Sequence, residues 1–170
     1  MNPRRIVAAI LLIVVVTLIV YPPLSTGTVS VRFKSKGVGS ADHLYITVNL
    51  IELHEAGVDN RTGWNLISNA TRTMDLIDPD SLASFVAEGT VHTGWYDMIA
   101  IQVTSASLVQ GSNETVLELS SEQYYATVPL VLKTFSRLTV TVQFSFNATE
   151  AASTSILRLE LEAVLTPPLG

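Results

Sequence analysis

Leu138-Thr139-Val140-Thr141-Val142-Gln143-Phe144-Ser145-Phe146 decides the fold class of this 170-residue chain. Apolar and polar residues alternate there without a break. A period of two is that of a strand with one face buried and one face wet. A helix would instead repeat its apolar residues at i, i+3 and i+4.

The same pattern recurs outward from this stretch. Downstream, Ile156–Leu165 is expected to turn Leu157, Leu159, Leu161 and Leu165 inward and Arg158, Glu160 and Glu162 outward. Upstream, an expected strand over 28–35 sets Val29, Val31 and Phe33 against Ser30, Arg32 and Lys34. The stretch 43–53 points Leu44, Ile46, Val48 and Leu50 inward, and 95–105 does so with Ile99, Ile101 and Val103. Residues 64–67 and 72–77 read as short strands. Residues 107–110 and 115–119 read as the arms of a hairpin around Gly111-Ser112-Asn113-Glu114. The stretch 126–133 contains Pro129, which cannot donate to a ladder and so belongs near a sheet edge. One short helix is predicted, with Asp78 as N-cap, Pro79 at the first position and Gly89 as its stop. Its apolar stripe would be Leu82, Phe85 and Val86. Eight or nine strands in one domain predict an all-β fold, an immunoglobulin-like or related antiparallel β-sandwich with one short helix.

Composition excludes several function classes. There are 10 Lys+Arg against 15 Asp+Glu, a net charge of −5, whereas a nucleic-acid binder needs a basic face. With no Cys, the chain has no disulfide scaffold, thiol nucleophile or iron–sulfur ligand. At 48% apolar and 15% charged residues it has ample material for a core.

The N-terminus reads as an export signal. Arg4 and Arg5 precede an apolar run over residues 6–20, interrupted only by Thr17 and followed by Tyr21-Pro22-Pro23. Fifteen helical residues rise about 22 Å, short of a hydrocarbon core of about 30 Å. The run is either a signal peptide cut near Ser25-x-Gly27 or an uncleaved anchor, with Tyr21 at the outer interface. The anchor is favoured because the cleavage pair lacks Ala-x-Ala. Residues 1–26 are therefore expected as signal or signal-anchor segment, with an apolar helix, and 27–170 as a domain outside the membrane. Without Arg4 and Arg5, 8 basic face 15 acidic residues, so that domain carries −7.

Four N-x-Ser/Thr sequons lie in the outer part, at Asn60, Asn69, Asn113 and Asn147, each in an expected loop or strand end. They are the candidate glycosylation sites. Catalytic, cofactor and metal residues are not expected. His43 and His54 bracket one strand, about 36 Å apart if it is straight, and cannot share a metal. Asp75, Asp78 and Asp80 could offer hard oxygens to calcium, but capping and dipole complementation explain them better. There is no Gly-x-Ser-x-Gly elbow. Trp64, Trp95, Tyr96, Tyr124 and Tyr125 would suit a sugar-stacking platform, yet Trp95 and Tyr96 are adjacent and must point to opposite faces, so core packing is the favoured role.

Several segments together resemble a known family: Gly27-Thr28-Val29-Ser30-Val31-Arg32, His43-Leu44-Tyr45-Ile46-Thr47-Val48, Ile51-Glu52-Leu53-His54, Gly63-Trp64, Met74-Asp75-Leu76-Ile77 and Gly94-Trp95-Tyr96-Asp97-Met98-Ile99. This looks like the domain-of-unknown-function family 4382, found in exported proteins of archaea and bacteria, over about residues 27–165. The resemblance implies an exported β-sandwich and carries no activity to transfer. An archaeal source would fit the sequons, the anchor and the lack of Cys. The expected function is a non-catalytic structural or interaction module of the cell surface. The alternatives are a carbohydrate-binding domain of the envelope and a subunit of a filament built by strand donation. Expected partners are the membrane through residues 6–20 if uncleaved, and other surface proteins, glycans or copies of the chain itself.

Overall fold

The computed structural model describes residues 10–16, 25–84 and 86–166. Among the described residues from Thr26 on there are eleven strands and two short helices. In chain order the strands are β1 (Thr26–Val38), β2 (His43–Glu55), β3 (Trp64–Ser68), β4 (Arg72–Asp75), β5 (Val86–His92), β6 (Gly94–Gln110), β7 (Asn113–Leu119), β8 (Gln123–Leu132), β9 (Arg137–Asn147), β10 (Ile156–Leu157) and β11 (Glu160–Thr166). The helices are Pro79–Ser84 and Ala148–Thr154.

Two sheets enclose one core. The smaller runs β11-β9-β1-β5. The larger runs β10-β7-β6-β2-β3, with β4 also on β2 and β8 also on β6. Alternation dictates which side chains meet between them. Val29, Val31 and Phe33 of β1 and Val140, Val142 and Phe144 of β9 face Leu44, Ile46, Leu53, Ile99 and Ile101 of the larger sheet, all buried in one cluster. Phe33 stacks on Phe144, with ring centroids 5.6 Å apart.

Five expectations are corrected. The sandwich is not purely antiparallel: β1 pairs with β9 in parallel, and so does β10 with β7. The helix after Asp78 ends at Ser84, because Val86–His92 is strand β5, bonded to β1. Phe85 lies outside the described residues. A second helix, Ala148–Thr154, follows β9, with the Asn147 side chain accepting from the Glu150 N–H as its N-cap. The expected strand 156–165 divides into β10 and β11, which belong to different sheets. By contrast, 95–105 and 107–110 are one continuous strand, β6.

Within the N-terminal apolar run, residues 10–16 are helical and exposed. Residues 1–9 and 17–24, with Arg4, Arg5, Tyr21 and the prolines, lie outside the described residues. No helix among the described residues is long and apolar enough to cross a membrane.

Candidate binding surface

The outer face of the larger sheet carries a cluster of aromatic and titratable side chains. It is built around a bulge in β6. Tyr96 and Met98 keep their ladder partners on β2 and β8, and the register shifts between them, leaving Asp97 unpaired in both ladders. The extra residue turns Asp97 to the same side as Met98. Tyr96 still points inward. It is buried, and its hydroxyl donates to the His92 carbonyl at 2.8 Å, a corner that ties β6 to the end of β5. Burial pushes the Tyr96 hydroxyl above its ordinary pKa.

Asp97 meets His54, near the end of β2. His54 Nδ1 lies 2.8 Å from Asp97 Oδ1, and Nε2 lies 3.3 Å from the Asp59 carbonyl. Both ring nitrogens therefore face oxygen acceptors, the environment of an imidazolium that donates from both. The hydrogen bond to Asp97 raises the His54 pKa; burial opposes it, and the Asp59 carbonyl adds to the rise. The ring is 1% exposed. Trp64, opposite His54 on β3, covers it at a ring separation of 4.8 Å. Trp64 Nε1 donates to the Asn60 carbonyl at 2.8 Å, fastening the 56–63 loop. Beyond Trp64 lies Tyr125 of β8, 5.8 Å away at an interplanar angle of 47°.

The aromatics thus divide. Tyr96 and Tyr124 are core residues, as expected, but Trp95 is 70% and Tyr125 54% exposed, and Trp64 is half-buried. Trp95 pairs with Val131 near one end of β8 and Tyr125 with Ala100 near the other. Sequence spacing gave no sign of the His54–Asp97 pair, whose members stand 43 residues apart.

The remaining candidates have structural roles. Asp75 is buried, and its oxygens accept from the Leu44 and Ile77 N–H groups and from His43 Nδ1 at 2.6 Å. Burial pushes its carboxyl up, but the Ile77 N–H, His43 and the Leu44 N–H outweigh burial and hold it below its ordinary value. Asp78 Oδ1 accepts the Asp80 N–H. Among the described residues no three His, Asp or Glu side chains are placed to hold a metal together. Asn60, Asn69, Asn113 and Asn147 are all exposed. Asn60 lies in the β2–β3 loop and Asn69 between β3 and β4; Asn113 opens β7 and Asn147 ends β9.

The model of the family described as Domain of unknown function (DUF4382) matches residues 26–163. The chain belongs to this family. The match spans this DUF4382 domain from its first strand into β11. No curated protein matches the sequence. Among solved structures, a candidate cell adhesion protein from Parabacteroides distasonis aligns over 86% of this chain and 53% of its own, at 9% identity and a TM-score of 0.31. One from Bacteroides fragilis aligns over 82% and 44%, at 15% identity and a TM-score of 0.33. A third, from Bacteroides ovatus, aligns over 84% and 46%, at 9% identity and a TM-score of 0.22. The DUF4382 chain spans about half the length of these structures.

Proposed function

We propose that this chain is a non-catalytic interaction module displayed outside the cell, anchored by or released from its N-terminal apolar segment. The observation that carries the reading is the outer face of the larger sheet. Trp64, Tyr125 and Trp95 stay at the surface there, although the core between the sheets is filled without them. Exposed aromatics on a rigid sheet offer contact area at little conformational cost. His54, the most polar buried group nearby, is covered by Trp64, so it supports the platform rather than meeting a substrate.

Treating intact cells with protease tests the location. The domain should be degraded; full protection on intact cells, with cleavage after lysis, overturns the reading.

A second reading, carbohydrate binding, is favoured by the Trp64–Tyr125 pair. Two tilted rings can lie against the apolar face of a sugar, with the Tyr125 hydroxyl at the rim. Trp64→Ala and Tyr125→Ala should each abolish retention on an envelope-polysaccharide column while Trp95→Ala weakens it less. Equal retention of all three variants and the parent overturns it. Strand donation fits less well, because β1 is paired within its own domain, to β9 on one side and β5 on the other.

A further inference from the structure

The outer face of the smaller sheet, opposite the aromatic face, has an ordered charge pattern. β1 presents Arg32, Lys34 and Lys36, all exposed, at every second position. β9 presents Thr139, Thr141, Gln143 and Ser145, all uncharged. β11 presents Glu160 and Glu162, both exposed. The ladder registers align them in rows. Lys34 is opposite Gln143, and Gln143 is opposite Glu162; Lys36 is opposite Ser145, and Ser145 is opposite Glu160.

None of these four charged residues makes an ion pair among the described residues. Distance alone does not explain this. Arg137 and Glu88 also stand two strands apart, across β1, and do pair, at 2.9 Å. Lys34 and Glu162 instead flank a hollow of about 350 Å³ floored in part by Thr141 and Gln143. An acidic domain thus keeps two lysines and two glutamates in matched rows without joining them.

We propose that this face docks against the same face of a second copy of the chain, around a two-fold axis running along β9. Such an axis lays the β1 row of each copy over the β11 row of the other. Lys34 then faces the partner copy's Glu162 row and Lys36 the Glu160 row, with the short neutral β9 side chains at the axis. The surface is complementary to itself, as an isologous interface must be. The other in-plane two-fold, across the strands, sets lysine row on lysine row and is rejected by like charge. An axis along the strands also keeps Thr26 of both copies at the same end, as two chains emerging from one membrane require. Exposed ion pairs are individually weak, so the association is of the transient class and gains from confinement on one membrane.

The absence of Cys makes a direct test possible. Gln143→Cys in the full-length chain, in detergent micelles, places one thiol per copy beside the axis. A short bis-maleimide should link it into dimers far above a Val116→Cys control on the opposite sheet, and the yield should fall about fivefold or more in 1 M salt. On the Gln143→Cys background, Lys34→Glu with Lys36→Glu should abolish linkage, and so should Glu160→Lys with Glu162→Lys. Mixing the two reversed proteins should restore it, which misfolded variants would not do. Linkage no better than the control, or insensitive to both salt and charge reversal, overturns the proposal.

Discussion

His54 Nδ1 sits 2.8 Å from Asp97 Oδ1, beneath the ring of Trp64. The folded chain therefore holds the His54 proton more tightly than the unfolded chain does. The stabilisation from this pair is whole below the unfolded value of about pH 6.5. It is lost as pH rises through the higher folded value. Denaturant midpoints should fall between about pH 6.5 and the folded pKa, and Asp97→Asn should flatten that slope. Because His54 is buried, Asp97→Ala should cost about 2 kcal/mol at pH 6, in the range for hydrogen bonds to charged groups.

Asp75 has the opposite sign. Its carboxyl is held below its ordinary value in the fold. Its contribution is whole above the ordinary value of about 3.9 and is lost as pH falls through the folded one. Asp75→Asn should therefore remove part of the acid sensitivity seen in urea melts below pH 4, and should lower stability at pH 7. A variant matching the parent at both pH values would contradict the role assigned to Asp75.

Gly89 is a point of contact between the sheets. A Cβ there would lie 2.5 Å from the Ile67 carbonyl oxygen and 2.7 Å from its Cα. Backbone cannot step aside as a side chain can, so Gly89→Ala should push β3 and β5 apart at a cost of about 1–3 kcal/mol. Gly111→Ala has open space around its Cβ but a φ of +61°. It should cost about 1 kcal/mol through backbone strain alone. Thermal melts of the two variants separate the mechanisms.

Val31 is fully buried between β5 and β9, and Phe33, nearly buried, pairs with β9 just past the end of the β5 ladder. Replacing both with Asp buries two uncompensated charges, each costing several kcal/mol, and should prevent folding at any protein concentration. A folded, monomeric double variant would revive strand donation.

Glycan is expected on at least two of the four sequons in a host that modifies them. All four asparagines are exposed, but they are not equally free to be modified. Asn147 is occupied as a helix cap, with Ala148 beside it buried. Site-resolved mass spectrometry of native protein should find Asn147 the least modified, and a bare polypeptide mass would refute the whole set.

Much of the fold was legible because burial leaves a period. In β9 every second residue from Val140 to Phe146 is buried, as its alternation foretold, and β1 reads equally well; in β2 the alternation holds to Val48, after which a shift of register buries Ile51 in place of the expected Leu50. The failures lie where two patterns compete. In 78–92, Leu82, Phe85 and Val86 imitate a helical stripe, but Ala87 and Val91 carry the strand period, and pairing with β1 decides the outcome. Gly89 was read as a helix stop; the nearness of Ile67, which actually requires a glycine there, is a tertiary fact with no local trace. Asn147 was seen as a sequon, while the Asn147–Glu150 cap of the second helix went unread. At the candidate surface alternation already set Trp95 and Tyr96 on opposite faces, but the placing of Asp97 beside His54 depended on the bulge between Tyr96 and Met98, which alternation cannot show. Arg32 and Lys34 on β1 and Glu160 and Glu162 on β11 were read as outward-facing and are exposed, while Lys36 lies beyond the strand expected over 28–35. Their alignment through β9 required the register.

The parallel pairing of β1 with β9 has a mechanical consequence. β1 is the first strand of the domain and is bound to β9 in register from Thr28 to Val38. A pull on the domain through its N-terminal end acts along β1, across the hydrogen bonds that join it to β9 rather than along them. The load is then shared as shear by the whole ladder, instead of opening it one hydrogen bond at a time. Held from that end in flowing liquid, the domain should resist stretching far better than if pulled at β5, the short edge strand.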